Sequence, residues 1–339
     1  MNSAKAMILS LGFFIAMQAN AVEISRSTQS ECLNQLDSEI SHQQIELDQR
    51  YLSFENKSSP TKIGLPEINR SQLLIPDSTG YQEGIILFHG FNASPFEVEN
   101  LGVHLRDLGY VVYMPLISGF GGSYHSANQF KYSDWQNSYK ESYGRFSKCF
   151  DKVHVGGFSL GGGLTLDFLL SENDLSKIKS VTLIAPYTKA KQKGALFLGK
   201  LIDVFQNGIS FETLYDLTES PDLLPILENP TRYVDQFPVS AGVEIAKFGR
   251  HLKKHSNQFG GPVFVALSES DDTIDLNSMK DFVSTHLVNF SYYVHPKSIG
   301  TPHQMLVRTA SNPLIEETLD EVAQFITYWS KETPPPLSP

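Results

Sequence analysis

The chain is short of cysteine, of positive charge and of long apolar runs, and each shortage excludes something. Its two cysteines, Cys32 and Cys149, permit one disulfide at most, and otherwise two buried thiols. Lys and Arg number 27 against 37 Asp and Glu, a net charge of −10, which disfavours nucleic acid and anionic membrane surfaces as partners. Beyond residue 17 no stretch approaches the roughly 18 apolar residues that a membrane helix needs. Metal-ligand sets are scarce too. His251 and His255 stand four apart, but Lys253 and Lys254 lie between them and no acid completes a zinc set. That pair reads as the cationic end of a helix.

The first residues are of a different kind. A single Lys5, an apolar run from Met7 to Met17 and the stretch Ala19-Asn20-Ala21 make a secretory leader over residues 1–21, with cleavage after Ala21. An uncleaved N-terminal anchor is the alternative. No cysteine immediately follows the cleavage site, which argues against a lipid-anchored product, and no stable membrane insertion is expected once the leader is gone. Losing Lys5 takes the net charge from −10 to −11. About 318 residues remain, ample for one large α/β core with an insertion. After export to the periplasm or the medium the cysteines meet oxidising conditions, so a Cys32–Cys149 disulfide is expected.

Residues 22–80 read as an N-terminal helical extension. Over residues 29–55 Leu33, Leu36, Ile40, Leu47, Tyr51 and Phe54 fall near a 3.6-residue period, which predicts one amphipathic helix packed on the main domain. Ser58-Ser59-Pro60 ends it, and residues 70–75 make a weak first strand. From Gly84 strands and helices alternate. Apolar runs at 84–88, 110–115, 152–158, 180–185, 262–268 and 289–294 lack clear alternation, as in a parallel sheet covered on both faces. Helices are expected after Ser94-Pro95-Phe96-Glu97, a Ser cap with Pro at the first position and Glu three residues on, and at 134–149, 160–170, 277–287 and 313–329. The pattern predicts an α/β, right-handed doubly wound and mostly parallel sheet over residues 81–330.

Between residues 187 and 261 the alternation lapses. A structureless loop of that length is improbable, so an inserted helical cap is expected, with helical pieces at 194–205, 211–217 and 239–255. Its apolar run through Ala195-Leu196-Phe197-Leu198 and Leu201-Ile202 either faces an acyl pocket or holds the cap together. The Pro-rich residues 333–339 read as a disordered tail.

The chemistry centres on Gly157-Phe158-Ser159-Leu160-Gly161, where a buried strand turns into a helix. A serine on so tight a corner has strained backbone angles, and neighbours with side chains would collide with the strand and helix around it. The helix starting at Leu160 aims its free N–H groups at the reacting centre. Such a serine needs a base, an acid to orient the base, and two oxyanion donors. In sheets with this elbow the chain order is Ser, acid, His. Asp271 in Ser268-Glu269-Ser270-Asp271-Asp272 is the first choice of acid, with Asp272 and Glu269 as alternatives. His303, near the end of a loop before the last helix, is preferred as base to His295, whose ring would pack beside its strand. The oxyanion donors would be the N–H groups of Leu160 and of Phe91 in His89-Gly90-Phe91-Asn92.

With these residues assembled, the chain resembles the α/β-hydrolase superfamily, and within it the bacterial carboxylesterase and monoacylglycerol-lipase-like group. The resemblance runs from about Gly84 to Trp329. It is carried by Leu87-Phe88-His89-Gly90-Phe91 with Ser94-Pro95, Gly119-x-Gly121-x-Ser123, Asp134-Trp135, the Gly157-to-Gly162 elbow, Asp271 and His303. It implies a Ser159–His303–Asp271 triad, a cap over the pocket, no cofactor, and hydrolysis of carboxylic esters, so the partner is a small-molecule ester or lipid substrate. Phe120 stands where many relatives have histidine between the two glycines, and that loop lines the acyl side of the pocket. Two other enzyme readings use the same triad, a thioesterase and a proline-type aminopeptidase. A non-catalytic exported binding protein on the same scaffold is the reading from another class.

Overall fold

The computed structural model describes residues 28–42, 44–45, 48–49, 69–77, 83–191, 208–229, 232–233 and 236–331. The leader at 1–21, the helix expected at 194–205, the apolar run at 195–202 and the tail at 333–339 fall outside them.

Seven strands form the main sheet: β1 (Gln72–Leu74), β2 (Gly84–Phe88), β3 (Val111–Met114), β4 (Val153–Phe158), β5 (Ile178–Ile184), β8 (Phe259–Ser268) and β9 (Leu287–His295). Their order is β1-β3-β2-β4-β5-β8-β9, parallel throughout except that β1 runs antiparallel along β3. The strands β2, β3 and β4 are buried along their whole length, which is why their sequences are apolar throughout except for His154, whose ring is bonded to Ser180 and Glu83. At the far edge β9 departs from that expectation. Val288, Ser291 and Tyr292 are exposed, because an edge strand has a neighbour on one side only.

Two groups of helices flank the sheet. Helices α2 (Phe96–Asp107) and α10 (Ile315–Ser330) pack on each other, while α4 (Tyr132–Phe146), α5 (Leu160–Ser171) and α8 (Val239–Leu252) form the second group. Every residue of α5 from Leu160 to Leu170 is buried, so this helix has no polar stripe and is fixed from all sides. Helix α2 begins differently from its sequence reading. Pro95 takes the cap position and makes no side-chain cap. Ser94 Oγ donates instead to Asn69 Oδ1 at 3.1 Å and to the Arg232 carbonyl at 2.9 Å. Glu97 turns away to accept from Gly90 N–H at 2.8 Å. The capping box is displaced because each of its side chains has a buried partner elsewhere.

At the N-terminus, residues 28–42 are helical, as are 44–45 and 48–49, and Leu33, Leu36 and Ile40 are buried in the main core. Leu47, Tyr51 and Phe54 lie outside the described residues. Cys32 is bonded to Cys149 with a Cα–Cα distance of 5.5 Å and a sequence separation of 117. A closed loop of that size restricts the unfolded chain and stabilises the fold by about 4–5 kcal/mol on chain-entropy grounds.

Between β5 and β8 the described residues hold β6 (Gly208–Ile209) paired antiparallel with β7 (Phe237–Pro238), then α6 (Phe211–Thr218), α7 (Leu224–Glu228) and α8. Ile209, Phe211, Leu214 and Val239 make a small core of their own. Helix α8 stops at Leu252 and not at residue 255. Lys254 and His255 close a tighter last turn by donating to the carbonyls of His251 and Leu252.

Candidate active site

Ser159 follows the last residue of β4 and caps α5, with φ 51° and ψ −113°, a backbone conformation that side-chain-bearing residues rarely adopt. The flanking glycines explain how the corner closes. A Cβ on Gly157 would lie 2.3 Å from the Gly161 carbonyl carbon, and one on Gly161 would lie 2.2 Å from the Phe88 carbonyl oxygen. Backbone bonds hold the turn in place: Ser159 N–H donates to Ile184 O at 2.9 Å, and Ser159 O accepts from Gly163 and Tyr187. The side chain is therefore aimed by a frame it does not belong to.

His303 and Asp271 arrive from the loops after β9 and β8, at the same end of the parallel strands. His303 Nε2 is 2.8 Å from Ser159 Oγ, and its Nδ1 is 2.6 Å from Asp271 Oδ2. The other Asp271 oxygen accepts from the N–H groups of Thr273 and Ile274 at 2.8 and 2.9 Å, so its carboxylate cannot rotate away. Burial pushes the His303 imidazole down, but the charge and hydrogen bond of Asp271 and the nearby Asp222 outweigh it. The net result is a value above that of an ordinary histidine. With Nδ1–H given to Asp271, Nε2 is left to face the serine hydroxyl. The alternatives lie elsewhere. Asp272 pairs with Lys191, Glu269 accepts from Lys297 N–H, and His295 is buried against Thr318 Oγ1 at 2.9 Å.

The expected oxyanion donors are the N–H groups of Leu160, directly after Ser159, and of Phe91, in the loop after β2. Leu160 opens α5, so its N–H has no acceptor one turn back in the helix. Pairing of Phe88 with Gly157 brings the His89-to-Asn92 loop alongside, and Gly161 N–H donates to His89 O at 3.1 Å. Gly90 N–H is held by Glu97, and Asn92 at φ 66° turns the loop, which leaves Phe91 between them. The Phe91 ring lies 5.3 Å from Phe120, 6.0 Å from Trp135 and 5.9 Å from Phe237. Phe120 is fully buried there between two left-handed glycines, Gly119 and Gly121. An apolar aromatic cluster thus surrounds the Phe91 ring.

Three buried groups at this site have roles that the sequence reading did not give them. Asp222, from the segment before α7, accepts from His303 N–H at 2.8 Å, from Asp272 N–H at 2.8 Å and from Thr273 Oγ1 at 2.7 Å. Burial, then the charge of Asp271, pushes its carboxyl up to about 6. Burial likewise pushes Glu97 up to about 8, so this carboxyl is mostly protonated near neutrality. His89 Nε2 accepts from Ile117 N–H at 2.9 Å, and burial pushes its ring down to about 4, which keeps it neutral and structural. Asp222 has no local signal, because its partners are 50 and 81 residues away. Glu97 had a signal that pointed to a helix cap.

The reading of His251 and His255 as a helix end without an acid is corrected. Asp167, on α5, lies 3.0 Å from His251 Nε2 and 2.8 Å from His255 Nε2. The acid comes from 84 residues away, across a helix contact that sequence spacing does not reveal.

The family model described as Serine aminopeptidase, S33 matches residues 81–291, and the chain belongs to that family. The thermostable monoacylglycerol lipase of Bacillus sp. (strain H-257) is 23% identical over 193 residues, 56% of this chain and 71% of that protein. One of the metagenome-derived lipolytic enzymes LipS and LipT superposes with a TM-score of 0.61 at 14% identity, over 77% of this chain and 98% of that one. The monoacylglycerol lipase of Paleococcus ferrophilus gives 0.53 at 17% identity, over 76% and 98%. The sheet and these likenesses give the chain the α/β-hydrolase fold.

Proposed function

We propose that this member of the Serine aminopeptidase, S33 family is an exported serine hydrolase that cleaves carboxylic esters through an acyl-enzyme. The observation that carries the reading is one imidazole, His303, joined at 2.6 Å to a fixed carboxylate and at 2.8 Å to a serine in a strained elbow. Ser159 Oγ attacks the ester carbonyl and gives its proton to His303 Nε2. Asp271 holds the imidazolium that forms, and the Leu160 and Phe91 N–H groups hold the oxyanion. His303 then protonates the leaving alcohol, and water, deprotonated by the same nitrogen, releases the acid.

Substrate class follows from the aromatic cluster around Phe91. Phe91 and Phe237, both partly exposed and backed by the buried Phe120 and Trp135, offer an acyl chain or aromatic acid an apolar surface and offer no charge to a free amino group. The monoacylglycerol lipase relative supports an ester of a lipid or small alcohol. The family's description keeps a second reading, an aminopeptidase, in view. Residues 187–261 are read as a cap over this site. Supporting that are the Phe237 contact with Phe91, the Asp222 bond to His303 and the Arg232 carbonyl on Ser94. The Cys32–Cys149 disulfide supports export, since such bonds persist in oxidising compartments. No helix of the described residues is long and apolar enough to cross a membrane.

The test is a panel of graded acyl esters, monoacylglycerols, thioesters and prolyl arylamides, run with wild type and Ser159→Ala. Ester turnover that vanishes in the variant is the expected result. Turnover confined to prolyl arylamides would transfer the reading to the aminopeptidase. N-terminal sequencing of the exported chain is expected to begin at Val22, and any other start counts against the leader.

A further inference from the structure

Apart from the triad, one group of imidazole and carboxylate donors converges among the described residues: Asp167, His251 and His255, whose donor atoms all lie within 4.8 Å of one another. The two histidines occupy the last turn of α8 and the turn beyond it, four residues apart, so both rings leave the same side. Both Nε2 atoms are aimed at a single oxygen, Asp167 Oδ1, at 3.0 and 2.8 Å. The second oxygen, Oδ2, is taken by Gln136 Nε2 of α4 at 2.7 Å. Asp167 is 3% exposed, while the His251 and His255 side chains are 32% and 13% exposed. The set is thus buried on the carboxylate side and open to solvent on the histidine side.

A buried carboxylate needs donors, and Gln136 with one imidazole would supply them. Two imidazole nitrogens on one oxygen go beyond that need and match a two-histidine, one-carboxylate ligand set with an open fourth position. Ligands at about 2.0–2.2 Å around a tetrahedral zinc ion stand roughly 3.3 Å apart. The two carboxylate–imidazole spacings, 3.0 and 2.8 Å, need to open by only a few tenths of an ångström, and the two imidazole nitrogens lie within 4.8 Å of each other. Gln136 Nε2 holds the second carboxylate oxygen and also lies 3.2 Å from His251 Nε2, a contact that ion binding would replace. Arg250, Lys253 and Lys254 nearby are exposed, and the Tyr132 and Phe248 rings, 5.6 and 6.5 Å from His251, border the site without charge.

We propose that Asp167, His251 and His255 form a structural binding site for a zinc-class divalent cation, with water as the fourth ligand. The ion ties α8, the chain's return from the 187–261 insertion, to α5, the helix that carries Ser159 at its cap. Asp167 lies eight residues along α5 from Ser159, about 12 Å of helix rise, so the ion touches no reacting atom. Its effect is to clamp two elements whose relative position sets the site. The imidazoles bind through Nε2 as neutral rings, with the proton carried on Nδ1.

The test uses the full chain without a histidine tag, stripped with a chelator, dialysed, and titrated with ZnCl2 by calorimetry and with Co2+ by visible absorption. One equivalent of Zn2+, a tetrahedral Co2+ spectrum and a Tm raised by a few degrees in excess Zn2+ are expected. The His251→Ala/His255→Ala double variant is expected to lose all three responses. Asp167→Asn, which keeps the Gln136 contact and the burial, is expected to lose most of the affinity, and circular dichroism establishes that each variant is folded. Absence of uptake by folded wild type, or uptake that the double variant retains, overturns the proposal.

Discussion

Two clusters in this molecule are built from the same side chains and do different things. At the end of β9 one imidazole, His303, lies between one carboxylate and one hydroxyl, each nitrogen with its own partner. At the end of α8 two imidazoles share one carboxylate oxygen, and the further partner of His251 Nε2 is an amide nitrogen, Gln136 Nε2, at 3.2 Å. The first arrangement is a line, along which a proton can move from oxygen to nitrogen while the far carboxylate stabilises the charge. The second is a convergence, in which donor atoms surround a point. What separates them is the third atom each histidine meets, and the backbone that fixes it. Ser159 is thrust at its histidine by a strained elbow, whereas Asp167 lies in an unstrained helix that is buried from Leu160 to Leu170.

The comparison breaks most sharply at the hydroxyl. Ser159→Ala is expected to lower ester kcat/KM by about 10^5-fold or more, with zinc uptake retained, as read by steady-state kinetics and calorimetry on one preparation. Asp271→Asn keeps the shape of the line and removes its charge. A loss of about 10^4-fold in kcat with little change in KM is expected, because the imidazole loses both its tautomer and the partner of its cation.

Smaller effects come from the buried carboxyls that surround the line. The Glu97 carboxyl moves from its ordinary 4.5 to about 8 in the folded chain, so the folded state keeps a proton that the unfolded state gives up between those values. That contribution to stability is complete below about pH 4.5 and is lost as pH climbs through 8. Glu97→Gln keeps an acceptor for Gly90 N–H and has nothing to ionise. Its Tm is expected to exceed the wild-type value at pH 9 and to converge with it in acid. The smallest effect is expected at Asp222. His303 works as a base only when neutral, and its value stands above that of an ordinary histidine, so activity falls as pH drops through that raised value. Asp222→Asn removes a negative charge that helps to raise it. The acid limb of kcat/KM is expected to move to lower pH by a fraction of a unit, and a move to higher pH would contradict the role given to Asp222.

How much of this was legible in the sequence follows the same division between local and distant causes. The elbow was readable because its cause is local: Gly157 and Gly161 are required by contacts within a few residues and with the adjoining strand. The strands β2 and β4 were readable because both faces are buried, which leaves runs that are apolar except for His154. Asp271 and His303 were found by their order after particular strands, and the structure brings both to Ser159. Asp222 and Asp167 were not found, since each meets its partners only across packed elements, 31 to 88 residues away for Asp167 and 50 to 81 for Asp222. Ser94 and Glu97 were misread for a related reason. Their spacing is that of a helix cap, and tertiary partners, Asn69, Arg232 and Gly90, outbid the helix end.

The central claim is that Ser159 is an activated nucleophile, and covalent labelling with a fluorophosphonate probe, followed by mapping of the modified peptide, tests it most directly. A single adduct on Ser159, abolished in Ser159→Ala and slowed in Asp271→Asn, is the result the account predicts. No adduct on protein shown to be folded, or an adduct on another residue, would contradict it.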